Sequence, residues 1–232
     1  MIPKIIHYVW VGGNPKPKNI QRCMKTWQKH LQDYQIIEWN EDNFDIHENK
    51  YVEQAYKAKK WAFVSDYIRA KAVYEMGGIY LDTDVLVLDN LESLLNNRAF
   101  VGFENPANPF TAVFGAEKHH PLLKDMLAYY DDRNFSFDHN DQLAGVNTVS
   151  VSDILKTKYQ AQPNNKEQVL SSGIHVYPDG ILCNPSPKSK TIHVFTGTWR
   201  EGAKPLKRKL VTALKVRIKT RKEAALYAKI FR

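Results

Sequence analysis

Short apolar runs alternate along the chain with longer stretches whose apolar positions recur every three or four residues. "KIIHYVWV" (4–11) is rich in β-branched and aromatic residues and predicts a core strand, stopped by "GGNPKPKN". "IQRCMKTWQKHL" carries Ile20, Met24, Trp27 and Leu31 near helical spacing, which predicts an amphipathic helix. A second strand is expected at "YQIIEW" (34–39), then the polar connection "NEDNFDIHEN". Residues 53–76 read as one long helix ending at Gly77-Gly78, and "IYLDTDVLVL" (79–88) reads as the strand beyond it. "AFVGFEN" and "FTAVFGA" predict further strands, and "HPLLKDMLAYY" a helix starting near its proline. "SSGIHVYPDGILCNP" and "TIHVFTGTW" predict short strands and turns returning to the core. This order predicts an α/β fold with a mainly parallel central sheet.

Composition is that of a globular domain, 43% hydrophobic and 25% charged. The net charge of +8 is unevenly placed: residues 204–232 hold eleven Lys or Arg against the single acid Glu223. The chain thus divides into a nearly neutral body, 1–203, and a basic segment, 204–232. A nearly neutral body without a recognition motif argues against nucleic acid as a substrate or partner. In the basic segment Leu206, Leu210, Leu214 and Ile218 recur every four residues, as in an amphipathic helix. Such a helix suits an anionic membrane surface, or it packs its leucines onto the body. No run reaches the roughly 18 apolar residues of a spanning helix. The first residues lack the basic flank and long apolar core of a signal peptide. Cys23 and Cys183 form no spacing pattern. The expected location is cytoplasmic, peripheral at the inner face of the membrane.

The polar interruption in "MGGIYLDTDVLVLDN" carries the chemistry. In an extended strand Asp82 and Asp84 point to one side and Thr83 to the other. Two adjacent carboxylates repel and are costly to bury, and a hard divalent cation such as Mg²⁺ or Mn²⁺ resolves both problems. On the preceding helix Asp66 and Arg69, three apart, are neighbours. They serve either as an ion pair at the helix–strand junction or as contacts to a substrate's hydroxyls and phosphate.

"SDYIRAKAVYEMGGIYLDTDV" (65–85) closely resembles the signature of the DXD-containing sugar-transferase family. That family includes capsule and exopolysaccharide glycosyltransferases, yeast initiating mannosyltransferases and, more distantly, clostridial glucosylating toxins. "KIIHYVWVGG" resembles its N-terminal strand and loop, and "TIHVFTGTW" its C-terminal element. The resemblance implies a GT-A-type nucleotide-sugar-binding fold, a UDP-sugar donor, Mn²⁺ or Mg²⁺, a glycan or lipid-linked glycan acceptor and retention of anomeric configuration. Asp84 would be the direct metal ligand, with Asp82 reaching both the metal and the donor, and Asp66 and Arg69 would bind the donor sugar. Trp10 matches an aromatic that stacks on the base, framed by Val9 and Val11. A histidine in "TIHVF" is by itself most often structural; by resemblance His193 closes the metal site. Thr198 stands where serine is usual, and Trp199 would cover the diphosphate or sugar. Asn140, Asp141 and Gln142 are acceptor-side candidates or a helix cap, in a region where Gly145-Val146 departs from the family's Gly-Pro turn.

Same-face displacement is the mechanism implied, and double displacement through Asp66 or Asp141 is its alternative. Two other readings stay open. One is a metal-dependent phosphohydrolase or nucleotidyltransferase. The other is a non-catalytic carbohydrate- or membrane-binding module.

Overall fold

A computed structural model describes residues 1–136, 147–197 and 205–231, apart from the side chains of residues 207 and 208. The first apolar run forms β1 (Ile5–Val9), which pairs in parallel with β2 (Gln35–Trp39) and β3 (Gly78–Leu81). β5 (Ala99–Gly102), β6 (Val113–Ala116), β7 (Gln168–Val169) and β8 (Ile174–Tyr177) complete a sheet of order β2-β1-β3-β6-β5-β8-β7. β6 is antiparallel to both β3 and β5, and β7 to β8, whereas β5 and β8 are parallel. The sheet is therefore mixed, not mainly parallel. Residues 103–112 and 170–173 are links too short for a crossover, so each returns its strand antiparallel. A second, two-stranded sheet pairs β4 (Val85–Val87) with β9 (Thr191–His193).

The central strands of the large sheet are covered on both faces, so β3, β5 and β6 are buried throughout. On one face α2 (Lys50–Lys57), α3 (Trp61–Met76), α4 (Pro121–Ala128) and α5 (Asn147–Tyr159) pack over Tyr80, Val101, Phe114 and Val176. On the other, α1 (Lys18–His30) brings Trp27 against Ile6, Ile79, Val85 and Val87. A short helix, α6 (Asp179–Leu182), closes this side through Leu182.

The predicted helix over 53–76 is two helices. Asn49 caps α2, its side chain accepting from the amides of Tyr51 and Val52. Lys59 then turns left-handed (φ 56°) and ends it, with no glycine or proline to announce the break.

The basic segment also forms two helices, α7 (Leu206–Lys215) and α8 (Arg221–Phe231). Val216, Ile218, Ala224 and Tyr227 pack on Cys23, Leu86, Ile192 and Val194. The four-residue leucine stripe is thus divided: Ile218 is buried beyond the end of α7, while Leu206 and Leu210 are 83% and 58% exposed. Among the described residues no helix is long and apolar enough to cross a membrane.

Candidate functional site

β3 ends at Leu81 in the large sheet and β4 begins at Val85 in the small one, so Asp82, Thr83 and Asp84 form the turn between them. The Val85 amide donates to the Asp82 carbonyl at 3.0 Å, closing that turn. Strand alternation does not bring the carboxylates together; the turn does. Thr83, expected to face away, lines the same cleft as its neighbours.

The partner strand completes the arrangement. Antiparallel pairing sets His193 opposite Val85, and the Val194 amide donates to the Asp84 carbonyl at 3.1 Å. This register leaves His193 Nε2 3.2 Å from Asp84 Oδ1. Three residues beyond His193, Thr196 donates both its amide and its hydroxyl to Asp84 Oδ2. Burial alone would raise the Asp84 carboxyl, but the His193 charge and these hydrogen bonds outweigh it and hold it at about 2. Burial likewise disfavours charge on His193, and the Asp84 carboxylate overcomes it, so the imidazole holds its proton well above its ordinary range.

Asp82 Oδ1 accepts from the Tyr80 hydroxyl at 3.0 Å and lies 3.5 Å from Arg69 Nη1. Arg69 makes its close ion pair with Asp66, one helical turn away, and both side chains are buried. Burial pushes the Asp66 carboxyl up, to about 7, with Asp82 adding to the rise and Arg69 opposing it. Burial also raises the Asp82 carboxyl, against the pull of Arg69 and His193. Arg69 stays cationic, because the two carboxylates more than offset its own desolvation.

These groups line one cleft of about 430 Å³. Val9, Trp10 and Val11 form its wall at the end of β1, Val9 and Val11 buried and Trp10 half-buried. The Trp10 indole donates to the Asn14 carbonyl at 2.7 Å, and Lys16 Nζ sits 5.4 Å from its ring. Gly12, at φ 88°, lets this loop lie against Trp61; a Cβ there would fall 2.6 Å from the indole. Trp61 lines the cleft too.

The structure thus gathers Val9, Trp10, Val11, Asp66, Arg69, Asp82, Asp84 and His193 around one space. Thr198, Trp199, Asn140, Asp141 and Gln142 lie outside the described residues. Sequence reasoning missed Tyr80, Trp61, Phe195 and Thr196. Tyr80 was within reach, since a period of two runs from Asp82 back to it along the strand end. Nothing local marks the other three.

The donor set fits a divalent cation. Ligand atoms of Asp82, Asp84 and His193 all lie within 4.8 Å of one another. Each carboxylate has one oxygen held by neighbours, Tyr80 and Arg69 at Asp82, Thr196 at Asp84. The second oxygen of Asp82 takes no part in those bonds, and that of Asp84 faces His193 Nε2 at 3.2 Å, where a cation would take the place of the imidazole's proton. His193 Nδ1 is buried and makes no hydrogen bond among the described residues. Two hard carboxylates with one imidazole suit Mn²⁺ or Mg²⁺ without separating the two.

Residues 17–101 match the model of a glycosyltransferase sugar-binding region containing a DXD motif. The fold is accordingly of glycosyltransferase type, with a DXD-bearing sugar-binding region, and the chain is related to diverse enzymes of that kind. An uncharacterized glycosyltransferase of Acanthamoeba polyphaga mimivirus is 30% identical over 146 residues, covering 57% of this chain and 58% of that protein. Inositol phosphoceramide mannosyltransferase 3 of Schizosaccharomyces pombe is 29% identical over 134 residues, covering 54% of this chain and 36% of that protein. The matches therefore span less than two thirds of either relative's length. A solved glycosyltransferase involved in glycosylating the major capsid of PBCV-1 superposes with a TM-score of 0.48 at 12% identity, covering 93% of this chain and 100% of that one.

Proposed function

We propose that the chain is a retaining hexosyltransferase that takes a sugar from a UDP-sugar and passes it to a glycan or lipid-linked oligosaccharide, in the synthesis of surface polysaccharide such as capsule. The observation that supports this most directly is the meeting, in one cleft, of the Asp66–Arg69 pair with the Asp82, Asp84 and His193 cluster. Asp82, Asp84 and His193 would hold the cation, whose chemistry when bound is to neutralise charge on a departing diphosphate.

The remaining roles belong to the chain's own residues. Trp10 offers a flat, half-buried face to a nucleobase, with Val9 and Val11 closing the wall behind it. Arg69 supplies fixed positive potential beside Asp82, already paid for in folding and not reorganised during reaction. Asp66 accepts hydrogen bonds from sugar hydroxyls. Its close pairing with Arg69 suits an orienting acceptor better than the nucleophile of a double displacement. A phosphohydrolase would draw more carboxylates into the cation cluster. Among the described residues that cluster is Asp82, Asp84 and His193.

We assign the exposed basic and apolar faces of α7 and α8 to an anionic membrane surface, where a lipid-linked acceptor resides. The decisive experiment is release of nucleoside diphosphate from a panel of nucleotide sugars with Mn²⁺, with Mg²⁺ and with EDTA, alongside metal-dependent UDP binding. Turnover or binding of one UDP-sugar, abolished by EDTA and by Asp84→Ala, is expected. Absence of both turnover and UDP binding overturns the reading.

A further inference from the structure

The docked basic segment reaches the cation cluster through one side chain. Lys215, in the last turn of α7, is only 7% exposed, an uncommon position for a lysine. Its Nζ donates to the His193 carbonyl at 3.3 Å and lies 4.7 Å from the centroid of the Phe195 ring. The Phe195 ring in turn rests on the His193 imidazole, centroids 3.9 Å apart and planes 32° apart. Phe195 has φ 60°, a left-handed conformation that an aromatic residue keeps only when its surroundings enforce it. That reversal carries the chain from β9 to Thr196, whose amide and hydroxyl hold Asp84.

The chain just beyond α7 is anchored by groups outside the site, and this fixes the end of the helix that carries Lys215. Val216, Ile218, Ala224 and Tyr227 pack on the small sheet. Arg221 binds Asp89 at 2.6 Å and the Ser189 carbonyl at 3.0 Å.

We propose that Lys215 is a positioning residue for the cation site. Its ammonium holds Phe195 in the left-handed turn, and through that ring and the adjoining backbone it sets His193 and Thr196 around Asp84. Docking of α7 and α8 thereby completes the ligand cluster, and the basic segment is part of the site's construction as well as a surface element. This inference rests on reading Asp82, Asp84 and His193 as a cation site.

The sign of one measurement separates positioning from charge. Lys215→Met keeps most of the methylene packing and removes a positive charge near the site, which by electrostatics alone would tighten cation binding. Positioning requires the opposite. Mn²⁺ alone, titrated into the full chain and followed by the paramagnetic resonance of the free ion, is expected to bind Lys215→Met about tenfold more weakly or worse. Lys215→Arg, which keeps a donor and a cation over the ring, is expected to bind like the parent. Unchanged or tighter binding in Lys215→Met overturns the proposal. If Lys215→Met does not fold, Phe195→Leu removes the ring from between the two groups and takes the same test with the same expected loss.

If the parent takes up no Mn²⁺, the reading of Asp82, Asp84 and His193 as a cation site in the free chain fails. Lys215 is then decided by histidine-labelled nuclear magnetic resonance of the metal-free chain, with the His193 ring signal assigned by its absence in His193→Gln. A shifted signal in Lys215→Met supports positioning, and an unmoved one overturns it.

Discussion

Thr196 places its amide and its hydroxyl on the same oxygen of Asp84, at 2.7 and 2.9 Å, across 112 residues of sequence. Hydrogen bonds to a buried charge are stronger than neutral ones, and these two lock one carboxylate oxygen while the other stays beside His193. Thr196→Val keeps the amide and deletes the hydroxyl. Urea unfolding is expected to show a loss of about 1.5–3 kcal/mol. Thr196→Ser, which restores the hydroxyl, is expected to recover most of it. Equal stability of all three proteins would show that the hydroxyl contributes nothing there.

Asp66 and Arg69 form a buried pair, so removing one partner strands the other. Arg69→Met is expected to cost about 1–3 kcal/mol, because Asp66, already pushed up to about 7 by burial, loses the cation that opposes that rise and must take up a proton without its partner. Asp66→Asn together with Arg69→Met is expected to cost far less than the two single losses summed, since neither charge then remains. Denaturation of the four proteins makes a double-mutant cycle. Additive losses would mean that the two side chains act independently.

Two buried histidines predict how stability responds to acid. His7 bridges the Gly77 carbonyl and the Trp39 indole, and His120 bridges the Ser172 carbonyl and the Leu122 amide. Both networks use a neutral ring, with one nitrogen donating and the other accepting. Burial lowers both values below the ordinary 6.5, so the unfolded chain takes up protons first. Their stabilisation is complete above pH 6.5 and declines as pH falls toward the folded values. His120 also caps α4 through its ring nitrogen, a task asparagine performs well. His120→Asn is therefore expected to keep α4 capped at neutral pH and to lose less melting temperature than the parent between pH 7 and pH 5. Parallel melting profiles would remove His120 from the account.

The outward faces of the terminal helices carry Leu206 and Leu210 on α7, and Leu226 and Ile230 on α8, among exposed lysines. Each Lys or Arg near an anionic bilayer contributes about 1 kcal/mol, and salt screens it. Sedimentation with phosphatidylserine-containing vesicles is expected at low salt, with release at high salt and none with purely zwitterionic vesicles. Leu210→Asp with Leu226→Asp, both at exposed positions, is expected to weaken binding without lowering the melting temperature. No sedimentation with anionic vesicles, or equal sedimentation with neutral ones, would exclude the membrane surface.

Local chemistry was enough to read much of this protein. β-branched and aromatic runs marked β1, β2 and β3, and helical spacing marked α1, because burial against a sheet imposes those periods on any sequence. Asp82 and Asp84 stood out because carboxylates amid apolar neighbours need a partner, and Asp66 and Arg69 because three residues on a helix make neighbours. Tertiary structure decided the rest. "IYLDTDVLVL" is apolar on both sides of its aspartates, so nothing local shows that β3 and β4 belong to different sheets and that the acids occupy a turn. The direction of β6 follows from which strand it meets, and no residue within it records that. His193 becomes a neighbour of Asp84 only through the register of β9 on β4, a pairing between segments more than a hundred residues apart. Phe195, Thr196 and Lys215 acquire their parts from the same long-range packing. Periodicity reports which face of an element is buried, whereas a site assembled from distant segments exists only once the chain has closed around it.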